Sequence, residues 1–367
     1  MFEVGEALGR LWRRSPYLRT HYAQELQLTY YTNFRVAALG LGGLLLVGLP
    51  LWAHGYLLTL AVFVLIYLIG AVGLQVVTGL AGQLSLGQAA FMAVGAFVGG
   101  AAHFHLGTPF PVNALLAVAT GGFCGYVLSF PALRFRGIYL AVVTLAFHFI
   151  VITLLREYQL FLQTRFGTLR DIVLPDPAFG PLVLGSDRAW YWFLLAAALA
   201  VLLMAANLVR SPYGRAWVAI RDHDVGAEAV GLDVRWYKRR AFVVSSALTA
   251  LAGCLHAYYT HTVSADNYGL TLAVMYLAMV IVGGLGSLRG AVWGTLFVVL
   301  TPELLSGLLR GTAIARDPEA VRMAVFAGLL ITFLLAEPKG LEAVRQRVWN
   351  YFELWPFKYR PLEGSRR

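Results

Sequence analysis

Apolar residues in this chain come in unbroken blocks of about 20, the length at which an α-helix crosses the hydrocarbon core of a bilayer. Ten such blocks are read, at roughly 35–52, 56–78, 84–105, 112–131, 137–155, 189–209, 241–260, 270–288, 291–309 and 321–337. In lipid, every backbone N–H and C=O must be paired within the protein, so continuous apolar blocks specify helices. The blocks do not alternate as the strands of a membrane β-barrel do. Composition agrees. Of 367 residues, 59% are hydrophobic and 13% charged, half the ~25% charge that a soluble surface carries. The expected fold is an all-α integral membrane protein, a polytopic helical bundle of about 10 transmembrane segments.

The charges orient it. Ten crossings put both termini on one side. That side holds the basic N-terminal tail (Arg10, Arg13, Arg14, Arg19), Arg134, Arg136, the block from Arg210 to Arg240, Arg289, and a tail with Lys339, Arg345, Arg347 and Lys358. Basic loops stay cytoplasmic, which predicts N-in/C-in. Residues 1–34 and 341–367 then form cytoplasmic tails around a transmembrane domain at 35–340. The first 33 residues lack the apolar stretch and cleavage site of a secretory signal. The net charge of +10 is accounted for by orientation and anionic headgroups rather than nucleic acid. Cys124 and Cys254 lie inside apolar blocks, without disulfide or metal spacing.

Small residues recur four apart at Gly95/Gly99, Gly121/Gly125, Gly286/Gly290 and Gly290/Gly294, a spacing that lets helix backbones approach closely in lipid. The Gly-rich segment 84–105 has a polar start and is either spanning or re-entrant. Residues 79–100 and 283–300 share a faint Gly-rich pattern, a possible trace of an internal repeat.

Two loops stand out. One, 156–188, is expected outside. The other, 210–240, is expected inside as a short helical elbow. In it, Ser211 and Pro212 read as N-cap and first helical position, Asp224 as the cap of a second helix and Gly231 as its stop. Trp217 and Ile220 share one face.

Most spans hold no Asp, Glu, Lys or Arg, so the buried carboxylates of proton-coupled carriers are missing. His148 is the one central ionisable candidate, either lining a pathway or packed neutral in the core. Energy for uphill transport must then enter from elsewhere, and the elbow is the evident docking place. The chain carries no GxxxxGK[ST] loop, and GGLGSLRG at 283–290 lacks the Lys-Ser/Thr pair. No catalytic constellation such as HExxH or GxSxG is present, so it is not read as an enzyme.

Three stretches carry a family resemblance: TGLAGQLSLGQAAFMAVGAF at 78–97, RGIYLAVVTLAF at 136–147, and RSPYGRAWVAIRDHDVGAEAVGLD through YKRRAFVVSSALTALAG to MVIVGGLGSLRGAVWG, ending at 294. EPKGL at 337–341 closes the match. Over roughly 56–345 the chain resembles the longer of the two paired permeases of branched-chain amino acid ABC importers. The resemblance implies a second related permease, two cytoplasmic ATPase subunits that bind ATP and Mg, and an extracytoplasmic substrate-binding protein, with no cofactor or metal in this chain. Gly214, Arg215, Arg221, Asp222, Ala227 and Gly231 match the part of the family that faces the ATPases.

Gln83, Ser85 and Gln88, backed by Tyr139, Thr144 and His148, are the candidate substrate pathway. Neutral polar groups suit a zwitterionic amino acid that must not be trapped; the same groups also serve as helix–helix hydrogen bonds. Related importers move urea or short amides, and an ion-coupled carrier or channel is the remaining alternative. One departure is plain. The family's Thr-Gly-Gly stretch in the outer loop is replaced by QTRFGTLRDIVLP, where only Gly167 is recognisable.

Overall fold

A computed structural model describes residues 55–135, 137–166, 172–179, 182–309 and 340–354, with scattered residues at 42–53 and 324–337. The chain divides into a short unit, Met1–Leu58, and a main unit, Thr59–Arg367. In the first, the described residues at 42–44 and 46–51 are helical, inside the first expected span. The rest of that span, the N-terminal tail, Gly167 and residues 355–367 lie outside the described residues, as does much of 321–337.

In chain order the helices are α1 (Tyr56–Leu74, prolonged by a π-turn at Gln75–Leu80), α2 (Gln88–Leu106), α3 (Phe110–Ala132), α4 (Ile138–Phe166) and α5 (Asp187–Arg210). They continue with α6 (Pro212–Asp222), α7 (Asp224–Ala229), α8 (Val234–Thr260), α9 (Leu270–Gly283), α10 (Leu288–Leu309) and α11 (Leu341–Leu354). Among the described residues, seven stretches are long and apolar enough to cross a membrane; the last begins at a 3₁₀ turn, Ala265–Tyr268, and runs through α9. The fold is thus a polytopic helical membrane bundle.

Several boundaries differ from expectation. The segment that opens at 84 begins its helix only at Gln88, because residues 81–87 are irregular. Helix α4 continues to Phe166, well into the expected outer loop, since no Gly or Pro interrupts it. Arg156 on that extension pairs with Asp266 at 2.9 Å. The remainder of the loop makes two short antiparallel pairs, Ile172–Val173 with Thr262–Val263 and Ala178–Phe179 with Leu182–Val183. Helix α8 starts seven residues before the apolar block, with the Asp233 carboxylate capping the Trp236 N–H.

The interior is built on α8, which packs most broadly against α3 and α2. Close backbone approach makes this possible. A methyl group at Gly253 would lie 1.8 Å from the Met92 carbonyl oxygen, and one at Gly294 would lie 1.8 Å from that of Met279. The first holds α8 on α2, the second closes the α9–α10 hairpin.

Helix α11 docks on the turn of that hairpin, where Gly340, at φ +77°, leaves no room for a side chain beside Gly284. Its Glu342 is buried and accepts from Arg345 at 2.6 and 2.8 Å and from Gln346 at 3.1 Å. Burial pushes the Glu342 carboxyl up, but hydrogen bonds from Arg345 and Gln346 and the charges of Arg345 and Arg289 outweigh it, leaving a net lowering. A lowered carboxylate pKa stabilises the folded state above its ordinary value and is lost as pH falls through the lowered one. Glu342→Gln is therefore expected to lower the melting temperature at neutral pH, at a cost of about 1 kcal/mol. That gap should close in acid, once the wild-type carboxyl is protonated. Melting curves of both proteins across pH check this, and a gap that widens in acid would refute it.

Candidate coupling and pathway site

The site forms where α1 breaks. Its last turn widens into a π-turn, and the chain then runs through Ala81–Gly87 before α2 begins. Such a break leaves backbone carbonyls without helical partners, and the protein must satisfy them. Local bonds do part of this. Gln83 N–H donates to Val77 O at 2.9 Å, and Thr78 Oγ1 donates to Gln83 O at 3.0 Å.

Distant groups do the rest. Gln75 Nε2 donates to Gly284 O and Ser287 O, both at 2.9 Å, tying the α1 break to the turn between α9 and α10. Arg221, at the end of α6, donates from Nη1 to Gly79 O at 2.9 Å. Its guanidinium is aligned by Asp222, whose Oδ1 lies 3.1 Å from Nε and from Nη2. A methyl on Gly286 would come within 2.5 Å of Arg221 Nη1, and one on Gly82 within 2.8 Å of its Cγ. Arg221 is therefore seated between two Gly-lined breaks, residues 79–82 and 284–287.

The elbow α6–α7 is fixed by sequence-local causes. Pro212 starts α6, but the Ser211 hydroxyl donates back to Leu208 O at 2.6 Å instead of capping it. The second helix is capped by His223, whose Nδ1 accepts from Gly226 N–H at 2.9 Å. Asp224 is thereby freed for Lys238, 2.7 Å away on α8. Trp217 and Ile220 are both buried, as one shared face requires. Trp217 packs with Val76, Leu80, Ala81 and Ala241, and its Nε1 donates to Tyr237 O at 2.8 Å. The elbow thus rests its apolar face on the α1 break and on α8.

The remaining elbow residues occupy distinct places. A methyl at Gly214 would sit 2.1 Å from Val209 O, so this corner admits only glycine. Ala227 is buried. Gly231 ends the elbow at φ +87°, with open space around it. Arg215 is exposed and donates to Arg210 O at 2.9 Å. A cavity of about 160 Å³ between elbow and break is lined by Gly82, Gln83, Arg221, Asp222, Asp224 and Lys238, among others.

Four of the six pathway candidates lie at or bond to the same break, and His148 follows Thr144 one turn along α4. Gln83, Ser85, Gln88, Thr144 and His148 are all buried. Thr144 Oγ1 accepts from Leu86 N–H at 2.9 Å and Ser85 Oγ from Gly87 N–H at 3.3 Å. Gln88 donates to Gly70 O at 3.2 Å and to Thr249 Oγ1. Gln88 Oε1, Ser245 Oγ and His148 Nδ1 are buried without a hydrogen-bond partner among the described residues. Tyr139, at the start of α4, is instead exposed.

Sequence reasoning missed four members of this interior. Gln75 and Thr249 bond directly to the break or to Gln88. Lys238 is buried against Asp224. His256 is buried on α8, with Nδ1 3.1 Å from the Tyr268 hydroxyl. The signal available for all four was a polar residue within or bordering an apolar block.

Comparison with known proteins decides the family. The family of branched-chain amino acid transport system permease components matches residues 56–334. The chain belongs to this family. Among its relatives are the high-affinity branched-chain amino acid transport system permease proteins LivM of Escherichia coli K12 and Salmonella typhimurium LT2. They are 33% and 32% identical, each over 77% of this chain and 69% of the relative. A probable branched-chain amino acid transport permease protein LivM of Methanocaldococcus jannaschii is 27% identical over 62% of this chain and 66% of its own. No solved structure matches significantly. With seven apolar helices among its described residues, this permease is a multi-pass inner-membrane protein.

Proposed function

We propose that this permease is one of two related translocation subunits of an ATP-driven importer that carries branched-chain or other neutral amino acids into the cytoplasm. Two cytoplasmic ATPases dock on the elbow at 210–240, and an extracytoplasmic binding protein delivers the cargo. The termini and the elbow face the cytoplasm, as their basic residues favour. The observation that carries this reading is the Arg221–Gly79 bond at 2.9 Å. It joins a surface helix, which a partner can push, to a helix break that the buried polar groups adjoin.

Packed helices transmit such a push as a rigid lever. The neutral amides and hydroxyls beside the break can exchange partners with a passing zwitterion without holding it tightly. No carboxylate is needed, because the energy arrives through the elbow.

The test is uptake by proteoliposomes containing this chain, its paired permease and the ATPases, supplied with binding protein. Labelled leucine should enter only when ATP is inside. Gly214→Trp, which forces the α5–α6 corner open, should release the ATPases during purification and cut uptake to background. Flux through this chain alone, without ATP, would replace the proposal with a self-contained carrier or channel.

A further inference from the structure

A second cavity, about 870 Å³ in volume, opens where the end of α3 faces α7 and the first turns of α8. Its wall carries Arg134, Arg235 and Arg239 against a single carboxylate, Glu228. Lys238 also lines it but is already paired with Asp224. None of the three guanidinium groups has an ion-pair partner among the described residues. The Arg239 guanidinium carbon lies over two aromatic rings, 4.7 Å from the centroid of Phe130 and 5.4 Å from that of Tyr126. Its Nε is buried without a hydrogen-bond acceptor. A buried, unsatisfied N–H on a cation needs a partner, and guanidinium forks match phosphate oxygens best.

The surroundings add a second property. Phe130, on the cavity wall, continues along α3 into Val127, Tyr126 and Phe123, all exposed. Their spacing places them on one helix face. Ligand chemistry here is therefore an anionic head beside an apolar surface. The cavity also opens on the side that the basic residues mark as cytoplasmic, at the ends of spanning helices, which is the depth of the headgroups.

We propose that this cavity binds the phosphate headgroup of an anionic phospholipid of the phosphatidylglycerol class, with its acyl chains lying along the Phe123–Phe130 face of α3. Arg134, Arg235 and Arg239 bind the phosphate, and Glu228 accepts from headgroup hydroxyls. Because Lys238 lines both this cavity and the smaller one under the elbow, the bound lipid braces the start of α8 against α7. The inference needs the chain's placement in the membrane, not its coupling to ATP, so the two proposals fail separately.

The experiment places the full chain in phosphatidylcholine nanodiscs with or without phosphatidylglycerol and measures melting temperature and retained lipid by native mass spectrometry. Phosphatidylglycerol should raise the melting temperature and survive gentle delipidation. Inorganic phosphate at the same concentration should do neither. The variant Arg134→Gln/Arg235→Gln/Arg239→Gln should gain no melting temperature from phosphatidylglycerol over phosphatidylcholine alone and retain at least about fivefold less phosphatidylglycerol. Glu228→Gln should retain as much as wild type or more. Should the triple variant fold poorly, Arg235→Gln alone carries the test, since this side chain is exposed. Equal retention of both lipids, full retention by the charge variants, or an equal response to inorganic phosphate would overturn the proposal. So would crosslinks from Arg235 to an acidic segment of a partner protein in the assembled transporter.

Discussion

Replacing Arg221 with Glu is expected to cut ATP-driven uptake by about 10- to 100-fold while the ATPases still co-purify with this chain. The range follows from one interaction. A hydrogen bond from a charged donor contributes about 1.5–3 kcal/mol, and each 1.4 kcal/mol is about tenfold in an equilibrium. Arg221 makes such a bond to Gly79 O while Asp222 holds the guanidinium in plane. A carboxylate at 221 would face the Gly79 carbonyl oxygen and the Asp222 carboxylate, both of which repel it. The elbow would then keep its apolar seat through Trp217 and Ile220 but lose its grip on the break. ATP hydrolysis should continue without transport. Arg221→Lys should fall in between, because an ammonium group can reach one acceptor but cannot also present the Nε–Asp222 contact. Unchanged uptake in Arg221→Glu would remove Arg221 from the coupling path. Loss of the ATPases together with uptake would make it a docking residue instead.

The contrast with Gly214→Trp separates two ways of breaking a lever. Gly214 sits in the corner between α5 and α6, where even a methyl would strike Val209 O at 2.1 Å. Enlarging it should move the whole elbow and, with it, the proposed docking surface. Arg221 reaches the break through its bond to Gly79 O, so in the proposed scheme its loss should spare docking and break transmission.

What could be read from the sequence follows the physics of lipid. Apolar blocks at the spans had to be helices, because nothing else pairs their backbone there, and α3 and α5 appear where the blocks predicted. The paired faces of the elbow were equally legible, since Trp217 and Ile220 three apart admit one buried side. Boundaries were less so. Hydropathy marks where a helix is apolar, not where its hydrogen bonding ends, so α4 ran on to Phe166 and α8 began among the basic residues at Val234. Long-range bonds were not legible at all. Gln75 reaches residues 284 and 287, and Arg221 reaches residue 79, across chain separations that no local pattern encodes. Burial was not legible either: of the six pathway candidates Tyr139 lies exposed on α4, while the other five are buried.

Gly121→Ala is expected to destabilise the purified protein, whereas Gly122→Ala, one residue along the same helix, is expected to leave it unchanged or more stable. Both residues lie on α3 facing α8. A methyl at 121 would stand 2.2 Å from the Ala250 Cβ and 2.9 Å from Ser246 O, while at 122 the nearest atom is Val243 Cγ1 at 3.6 Å, ordinary contact. Overpacking of this kind costs about 1–3 kcal/mol. Alanine itself favours a helix over glycine by about 0.8–1 kcal/mol, a gain that Gly122→Ala keeps and Gly121→Ala cannot recover. The melting temperatures of the two variants in detergent should therefore differ by roughly 5 °C or more. Ala250→Gly added to Gly121→Ala should restore part of the loss, because it removes the nearer of the two clashing atoms and leaves Ser246 O in place. Equal melting of the two single variants would mean that α3 and α8 can slide apart at little cost. Helices in lipid have no hydrophobic force holding them together, so a rigid α8 depends on this close contact, and the proposed coupling requires that α8, on which the elbow rests, stay fixed.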